Sequence, residues 1–289
     1  MPTKIEKDHI SGQETTGHEW DGLKELNTPL PKWWLYTFYA TILFSLVWVI
    51  LYPAFPIQGW TGLTGWTARG ALPAQLEAER ARTEPMLARV REAGLQGTAD
   101  DPELRAFALA GGRIGFANNC AGCHGAGGQG APGGFPNLAD DDWLFGGTLE
   151  DIHHTIAHGV RAGESDQERG IPMPAFLAMG MLTPAEIADT AEFVLSFTGR
   201  ATDEAAAQRG AEHYEINCSS CHGPAGEGMR EQGAPALNNQ IWLYGGDRQS
   251  IIRSIAYSRA GVMPSWQGRL DPAMVTMITV YVHALGGGE

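Results

Sequence analysis

The sequence predicts an all-α protein: one membrane-spanning helix near the N-terminus, followed by two copies of a small helical domain. Three observations carry that prediction. An uncharged apolar run occupies Trp33 to Tyr52. Further on, "NNCAGCHGAGG" from Asn118 is answered by "INCSSCHGPAG" from Ile216, and the segments flanking these two stretches repeat in step. The expected organisation is an arm over 1–32, the membrane helix over 33–52, a linker containing a charged helix over 53–101, and the two copies over 102–200 and 201–289.

The apolar run, "WWLYTFYATILFSLVWVILY", contains no Asp, Glu, Lys or Arg. As a helix of about twenty residues it spans about 30 Å, the hydrocarbon thickness of a bilayer. Trp33, Trp34 and Tyr36 at one end and Tyr52 at the other suit the two membrane interfaces, and Pro53 and Pro56 stop the helix. A cleaved signal peptide fits poorly, because a long, partly acidic arm precedes the run and no small-residue cleavage site follows closely. Lysine occurs only at Lys4, Lys7, Lys24 and Lys32, and the first basic residue after the run is Arg69. That asymmetry is small; it biases the N-terminus toward the cytoplasm and leaves the orientation to a second argument. The net charge of −13 argues against a nucleic-acid partner.

Beyond the run, "PAFPIQGWTGLTGWTARG" is rich in Gly and Pro and reads as a linker. "LPAQLEAERARTEPMLARVREAG" then reads as a charged helix broken near Pro85. After Asp101 the chain repeats itself with a period of roughly 90–100 residues. With Cys120 aligned to Cys218, Gly112 matches Gly210 and Phe116 matches Tyr214. "FPNL" with Pro136 matches "APAL" with Pro235, and "WLFGG" at Trp143 matches "WLYGG" at Trp242. "IPMPAF" with Met173 matches "GVMPSW" with Met263, and the first copy carries an extra loop, "GESDQERG", before its Met. Each copy closes on a helix with a clear start signal: Thr183, Pro184 and Glu186 form a capping box in one, and Asp271 with Pro272 caps the other. Phe193 and Tyr281 follow on these helices.

The two Cys-x-x-Cys-His motifs use all four cysteines, so none is left for a structural disulfide. Haem attachment through vinyl groups needs two thiols about one helical turn apart and an imidazole immediately after them to bind the iron. A single zinc site built from the four cysteines leaves both histidines unexplained, and a redox dithiol lacks its βαβ setting. Cys120, Cys123, Cys218 and Cys221 are therefore expected to hold two covalent haems c, with His124 and His222 as the proximal iron ligands.

The sixth ligand separates an electron carrier from a ligand-binding haem, because a thioether closes the coordination sphere and raises the potential. Within each copy the natural candidate is the Met-Pro methionine: Met173 for the first haem and Met263 for the second. Met179, Met181 and His158 compete with Met173. Pro136 and Pro235 offer carbonyls to orient the proximal imidazoles. Gly112 and Gly210 are expected to let each first helix cross its own closing helix, meeting Phe193 and Tyr281 respectively. His153 and His154 are expected to be exposed, and His283 to be structural.

In these features each copy resembles a monohaem cytochrome c of the mitochondrial type. "GHEWDGLKELNTPLPKWW", followed by a membrane helix and two such domains, makes the whole chain similar to the di-haem, membrane-anchored subunit of cbb3-type cytochrome c oxidases. That resemblance implies an electron-transfer subunit without a catalytic site of its own. It implies electrons received from a cytochrome c or the bc1 complex and passed through a monohaem subunit to the catalytic subunit. It also implies anchorage in the bacterial inner membrane with the haem domains periplasmic. Two other readings stand beside it: a di-haem subunit of a dehydrogenase or nitric oxide reductase, and a di-haem peroxidase or gas sensor. The acidic excess between Asp101 and Arg200 suits a basic electron donor.

Overall fold

The computed structural model describes residues 4–53 and 59–289. The expected helix stop at Pro56 and linker residues 54–58 lie outside the described residues. The chain divides into two units, Met1–Arg82 and Thr83–Glu289, and each is described by itself.

In the first unit the arm contains a hairpin that the polar composition did not announce. β1 (Thr15–Trp20) pairs antiparallel with β2 (Leu23–Leu26), Thr15 opposite Leu26 and Trp20 opposite Leu23. Asp21 (φ 48°) and Gly22 (φ 85°) make the turn. An Asp-Gly pair tolerates two successive positive φ angles, the twist that suits a two-residue hairpin. Thr15 is buried, and its hydroxyl accepts the Glu6 N–H at 3.0 Å. α1 (Lys32–Leu51) follows, with a mean hydropathy of 1.9 over its most apolar window and none of that window buried in the protein. Its Thr and Ser hydroxyls are satisfied locally: Thr37 donates to the Trp33 carbonyl at 2.9 Å, Thr41 to the Phe38 carbonyl at 2.7 Å and Ser45 to the Thr41 carbonyl at 2.8 Å. These three hydroxyls are then not carried bare into an apolar medium. The helix ends at Tyr52, which is extended ahead of Pro53.

α2 (Ala68–Asp100) keeps helical backbone angles through Pro85; its break lies at Gly94 (φ 67°, ψ −167°), not at the proline. Thr98 marks the break, its hydroxyl donating to the Gly94 carbonyl at 2.6 Å.

The second unit contains α3 (Pro102–Asn119), α4 (Ala121–His124), α5 (Leu149–His158), α6 (Pro184–Ser196), α7 (Glu204–Asn217), α8 (Ser219–His222), α9 (Arg248–Tyr257) and α10 (Pro272–His283). The starts of α3, α5, α6, α7, α9 and α10 are set by side chains that accept orphan N–H groups: Asp101, Thr148, Thr183, Asp203, Asp247 and Asp271. At Thr183 the full capping box with Glu186 is present.

These helices pack into two lobes that do not follow the repeat boundaries at 200 and 201. α3 packs against α10 and α6 against α7. One core joins Phe116, Ile152 and Ile156 to Val275, Ile278 and Val282. Another joins Phe176, Ile187, Ala191 and Leu195 to Tyr214, Ile251 and Ile255. The chain thus builds the α3–α5 part of one lobe, crosses to build the whole of the second, and returns with α10 to finish the first. The outgoing and returning segments meet where Val160 and Met263 exchange N–H···O bonds, both 2.9 Å. A third cluster, Val90, Leu104 and Ala108 with Met277 and Val280, packs the end of α2 against α3 and α10.

The crossing corrects the expected helix contacts. Gly112 lies against the Met277 carbonyl and the Tyr281 side chain of α10, and Gly210 lies against the Asp189 carbonyl of α6. A Cβ at either glycine would run into main chain, so the two backbones approach only because none is there. Phe116 accordingly packs on Tyr281, ring centroids 5.5 Å apart, and Phe193 on Tyr214 at 5.1 Å. Each closing helix serves the other copy's first helix.

Candidate haem-binding site

Each Cys-x-x-Cys-His motif sits on a single turn at the end of a long helix. The Cys120 N–H donates to the Phe116 carbonyl, and the Cys120 carbonyl then receives Cys123 at 3.1 Å and His124 at 2.9 Å. The Cys218, Cys221 and His222 turn has the same bonds at the same distances. The two thiols and the imidazole therefore project from one turn, and Gly125 (φ 79°) and Gly223 (φ 76°) end it. Among the described residues no disulfide joins any of the four cysteines. Burial pushes the Cys120 thiol up to about 11 and the Cys218 thiol up to about 12, with the neighbouring cysteine of each motif adding to the effect. Among the described residues no group of three or more His, Cys, Asp and Glu could hold a metal ion. The two cysteine pairs are not brought together.

The imidazoles are fixed from behind. His124 Nδ1 lies 3.1 Å from the Pro136 carbonyl and His222 Nδ1 lies 2.9 Å from that of Pro235. A carbonyl only accepts, so Nδ1 must carry the proton and Nε2 is left as a bare lone pair. Burial lowers both histidine pKa values, which favours the neutral, metal-binding form. The Pro-bearing loops are held to the motifs by Gly130 N–H to the His124 carbonyl (2.7 Å) and Gly228 N–H to the His222 carbonyl (2.8 Å). In the second motif the buried Tyr214 hydroxyl also donates to the Gly223 carbonyl at 2.7 Å.

The methionines depart from the expected pairing. Met263 packs against the core that holds Phe116, alongside Cys120, Trp143 and Trp266. Met173 packs against the core that holds Tyr214, alongside Cys218, Leu237 and Trp242. The expected assignment of Met173 to the first haem and Met263 to the second therefore pairs residues from different lobes. The cause is the crossing at Val160 and Met263, which carries each Met-Pro loop into the lobe of the other motif. Met179 and Met181 are exposed, outside both clusters. His158 pairs through Nδ1 with the Ser165 hydroxyl at 3.0 Å. His153 and His154 are half-buried rather than exposed, and His154 Nε2 lies 2.8 Å from the Gln167 carbonyl. His283 lies against the Glu289 carbonyl at 3.1 Å.

One orphan atom tests whether these residues suit a haem. Trp242 Nε1 is buried with no hydrogen-bond partner among the described residues, which for an indole N–H calls for an acceptor supplied by something else. A haem brings two carboxylates and needs such donors. Its counterpart, Trp143 Nε1, donates to the Gly287 carbonyl. The residues present fit the group: paired thiols on one turn, a bare imidazole nitrogen, an apolar wall with a thioether, and a waiting donor.

Two such thiol-and-imidazole turns, each with a methionine in the core of its own lobe and preceded in the chain by an apolar helix, define a tandem c-type cytochrome. Comparison with known proteins narrows the class. Residues 109–198 match cytochrome c, residues 205–282 match cytochrome c oxidase, cbb3-type, subunit III, and residues 12–58 match the N-terminal domain of cytochrome oxidase-cbb3, FixP. The cbb3-type cytochrome c oxidase subunit CcoP of Azospirillum brasilense is 49% identical over 292 residues, covering 98% of this chain and 99% of that one. The subunit FixP of Bradyrhizobium diazoefficiens is 47% identical over 293 residues, covering all of both chains. That of Azorhizobium caulinodans is 46% identical over 286 residues, covering 98% and 96%. The chain belongs to the CcoP/FixP family of cbb3-type cytochrome c oxidase subunits.

Proposed function

We propose that this protein is the di-haem electron-transfer subunit of a cbb3-type haem–copper oxidase and carries no catalytic site of its own. It accepts electrons from a cytochrome c or the bc1 complex and relays them toward the catalytic subunit through a monohaem subunit. One haem is held by Cys120 and Cys123 with His124 and Met263 on its iron. The other is held by Cys218 and Cys221 with His222 and Met173. α1 anchors the protein in the bacterial inner membrane, N-terminus cytoplasmic and haem lobes periplasmic, as the four N-terminal lysines suggest.

The observation that carries the reading is that each pocket has a methionine packed into the same core as its cysteine turn. Bound haem supplies the reversible one-electron couple. The protein's part is to fix imidazole and thioether so that both oxidation states keep the same ligands and little rearrangement accompanies transfer. The test is a reductive titration of the purified oxidase with Met263→Ala and Met173→Ala variants. Met263→Ala is expected to convert the haem on Cys120 and Cys123 to a high-spin form, and Met173→Ala the haem on Cys218 and Cys221. A stable high-spin c-type haem in the unaltered protein would refute the carrier reading.

A further inference from the structure

We propose that Glu164 is a positioning residue for the Met263 thioether, acting through the backbone of the loop that presents it. The inference rests on the pairing of Met263 with His124 proposed above. The repeat supplies an internal comparison. In both copies the residues after Met-Pro donate to main-chain carbonyls near the end of a helix in their own lobe. Phe176 and Leu177 reach Ile255 and Ala256 at 3.1 and 3.2 Å, and Trp266 and Gln267 reach Ile156 and Ala157 at 3.1 and 3.0 Å. These are matching pairs of bonds with the copies exchanged.

The Met263 loop has further ties. Met263 itself exchanges both main-chain bonds with Val160. Ser265, which is buried, donates its hydroxyl to the Ala157 carbonyl at 2.7 Å. The Ser265 N–H donates to the Glu164 carboxylate at 2.9 Å, and the other carboxylate oxygen receives Arg269 at 2.7 Å. One acidic side chain thus grips the loop two residues beyond the methionine and again at Arg269. Among the described residues the Met173 loop has no equivalent of these ties. Ser265 is replaced there by Ala175, and the second copy lacks the insertion that supplies Glu164.

The insertion is built to hold that side chain still. Its Ser165 hydroxyl meets His158 and its Gln167 carbonyl meets His154, both on α5. Arg169 bridges back to Asp151 of the same helix at 2.8 Å. The Gly163 N–H is tied to the Glu168 carboxylate at 2.7 Å. The extra loop of the first copy therefore has a purpose the second copy does not need. It braces from outside the one methionine loop that returns to its lobe from about a hundred residues further along the chain.

The experiment uses the assembled oxidase carrying Glu164→Ala or Glu164→Gln, read by the ferric Met–iron charge-transfer band and by the midpoint of each c-type haem. Glu164→Ala is expected to weaken the band and shift the midpoint of the haem on Cys120 and Cys123 alone. The fraction of that haem without its sixth ligand should rise roughly tenfold, the effect of losing one charge-assisted hydrogen bond. Glu164→Gln keeps an oxygen acceptor for the Ser265 N–H and is expected to restore most of the band. Unchanged band and midpoint in Glu164→Ala would overturn the proposal, as would a Gln variant no better than Ala. Met263→Ala in parallel separates the two ideas. If Met263→Ala perturbs the Cys120 haem while Glu164→Ala is silent, the brace alone is wrong. If it perturbs the Cys218 haem instead, the ligand pairing is wrong.

Discussion

Replacing Ile278 by alanine tests the crossing directly. Ile278 lies on α10, is fully buried, and sits in the core with Phe116 of α3 and Ile152 of α5. Its side chain also lies where a Cβ on Gly115 of α3 would be, so the two helices share that space. Truncating a buried isoleucine to alanine costs about 2–5 kcal/mol, the spread reflecting how far the site collapses. Sub-global opening of the helices that share this core becomes roughly 30-fold to a few thousand-fold more frequent, at a factor of ten for each 1.4 kcal/mol. Hydrogen exchange read by mass spectrometry on the holoprotein should show this acceleration in peptides from α3, with those from α7 left as they were. Ile187→Ala on α6 should do the reverse, because Ile187 belongs to the core of Tyr214. If Ile278→Ala accelerated α7, its own copy's first helix, and spared α3, the interleaved packing would be refuted.

Three further outcomes follow. Glu192 is almost completely buried on α6, where burial would raise its pKa. Hydrogen bonds from Thr202, Arg248 and the Asp203 N–H hold it below its ordinary 4.5 instead. Its contribution is therefore complete above that value and is lost as pH falls through the lower folded-state pKa. Glu192→Gln should cost about 1–3 kcal/mol at neutral pH, and the gap from the unaltered protein should narrow in acid denaturant titrations below pH ~4.5. Ser258, at the end of α9, has φ 57° and ψ 127°, a region costly for any residue with a Cβ, whereas its counterpart Gly159 ends α5 at φ 78°. Ser258→Gly should be neutral or stabilising by about 1 kcal/mol in thermal melts; a clear loss would mean the backbone there is not strained. Association with a basic donor cytochrome should slow roughly tenfold or more between low and high salt, and a stopped-flow rate insensitive to ionic strength would remove charge steering toward the acidic first copy.

Much of the site was legible because its chemistry is local. Cys120, Cys123 and His124 lie within one turn, so their spacing alone announces what they hold. Pro136 and Pro235 sit near enough in sequence that the loop returning to the histidine has few choices. The caps at Thr183 and Asp271 act on N–H groups two or three residues away, and both helices begin where those residues say. The hairpin in the arm also had a local sign, the Asp21-Gly22 pair, hidden by polar surroundings. The break in α2 was misplaced because a helix can absorb Pro85 within helical backbone angles, whereas Gly94 enters a conformation that Cβ-bearing residues avoid.

Which methionine serves which motif could not be read the same way. The two copies present nearly the same pattern of cap, apolar face and aromatic, so α6 and α10 are each plausible partners for α3 and for α7. Sequence by itself determined that there are two thiol-and-imidazole turns, two Met-Pro loops, two closing helices and one apolar span. Only the tertiary structure decided how the halves combine, because that choice depends on contacts between segments far apart in the chain. Gly112 meets Met277, Tyr214 meets Phe193, Glu164 meets Ser265, and Val160 pairs with Met263. A repeat can specify its parts twice over and still leave their pairing to the packing of side chains that differ between the copies.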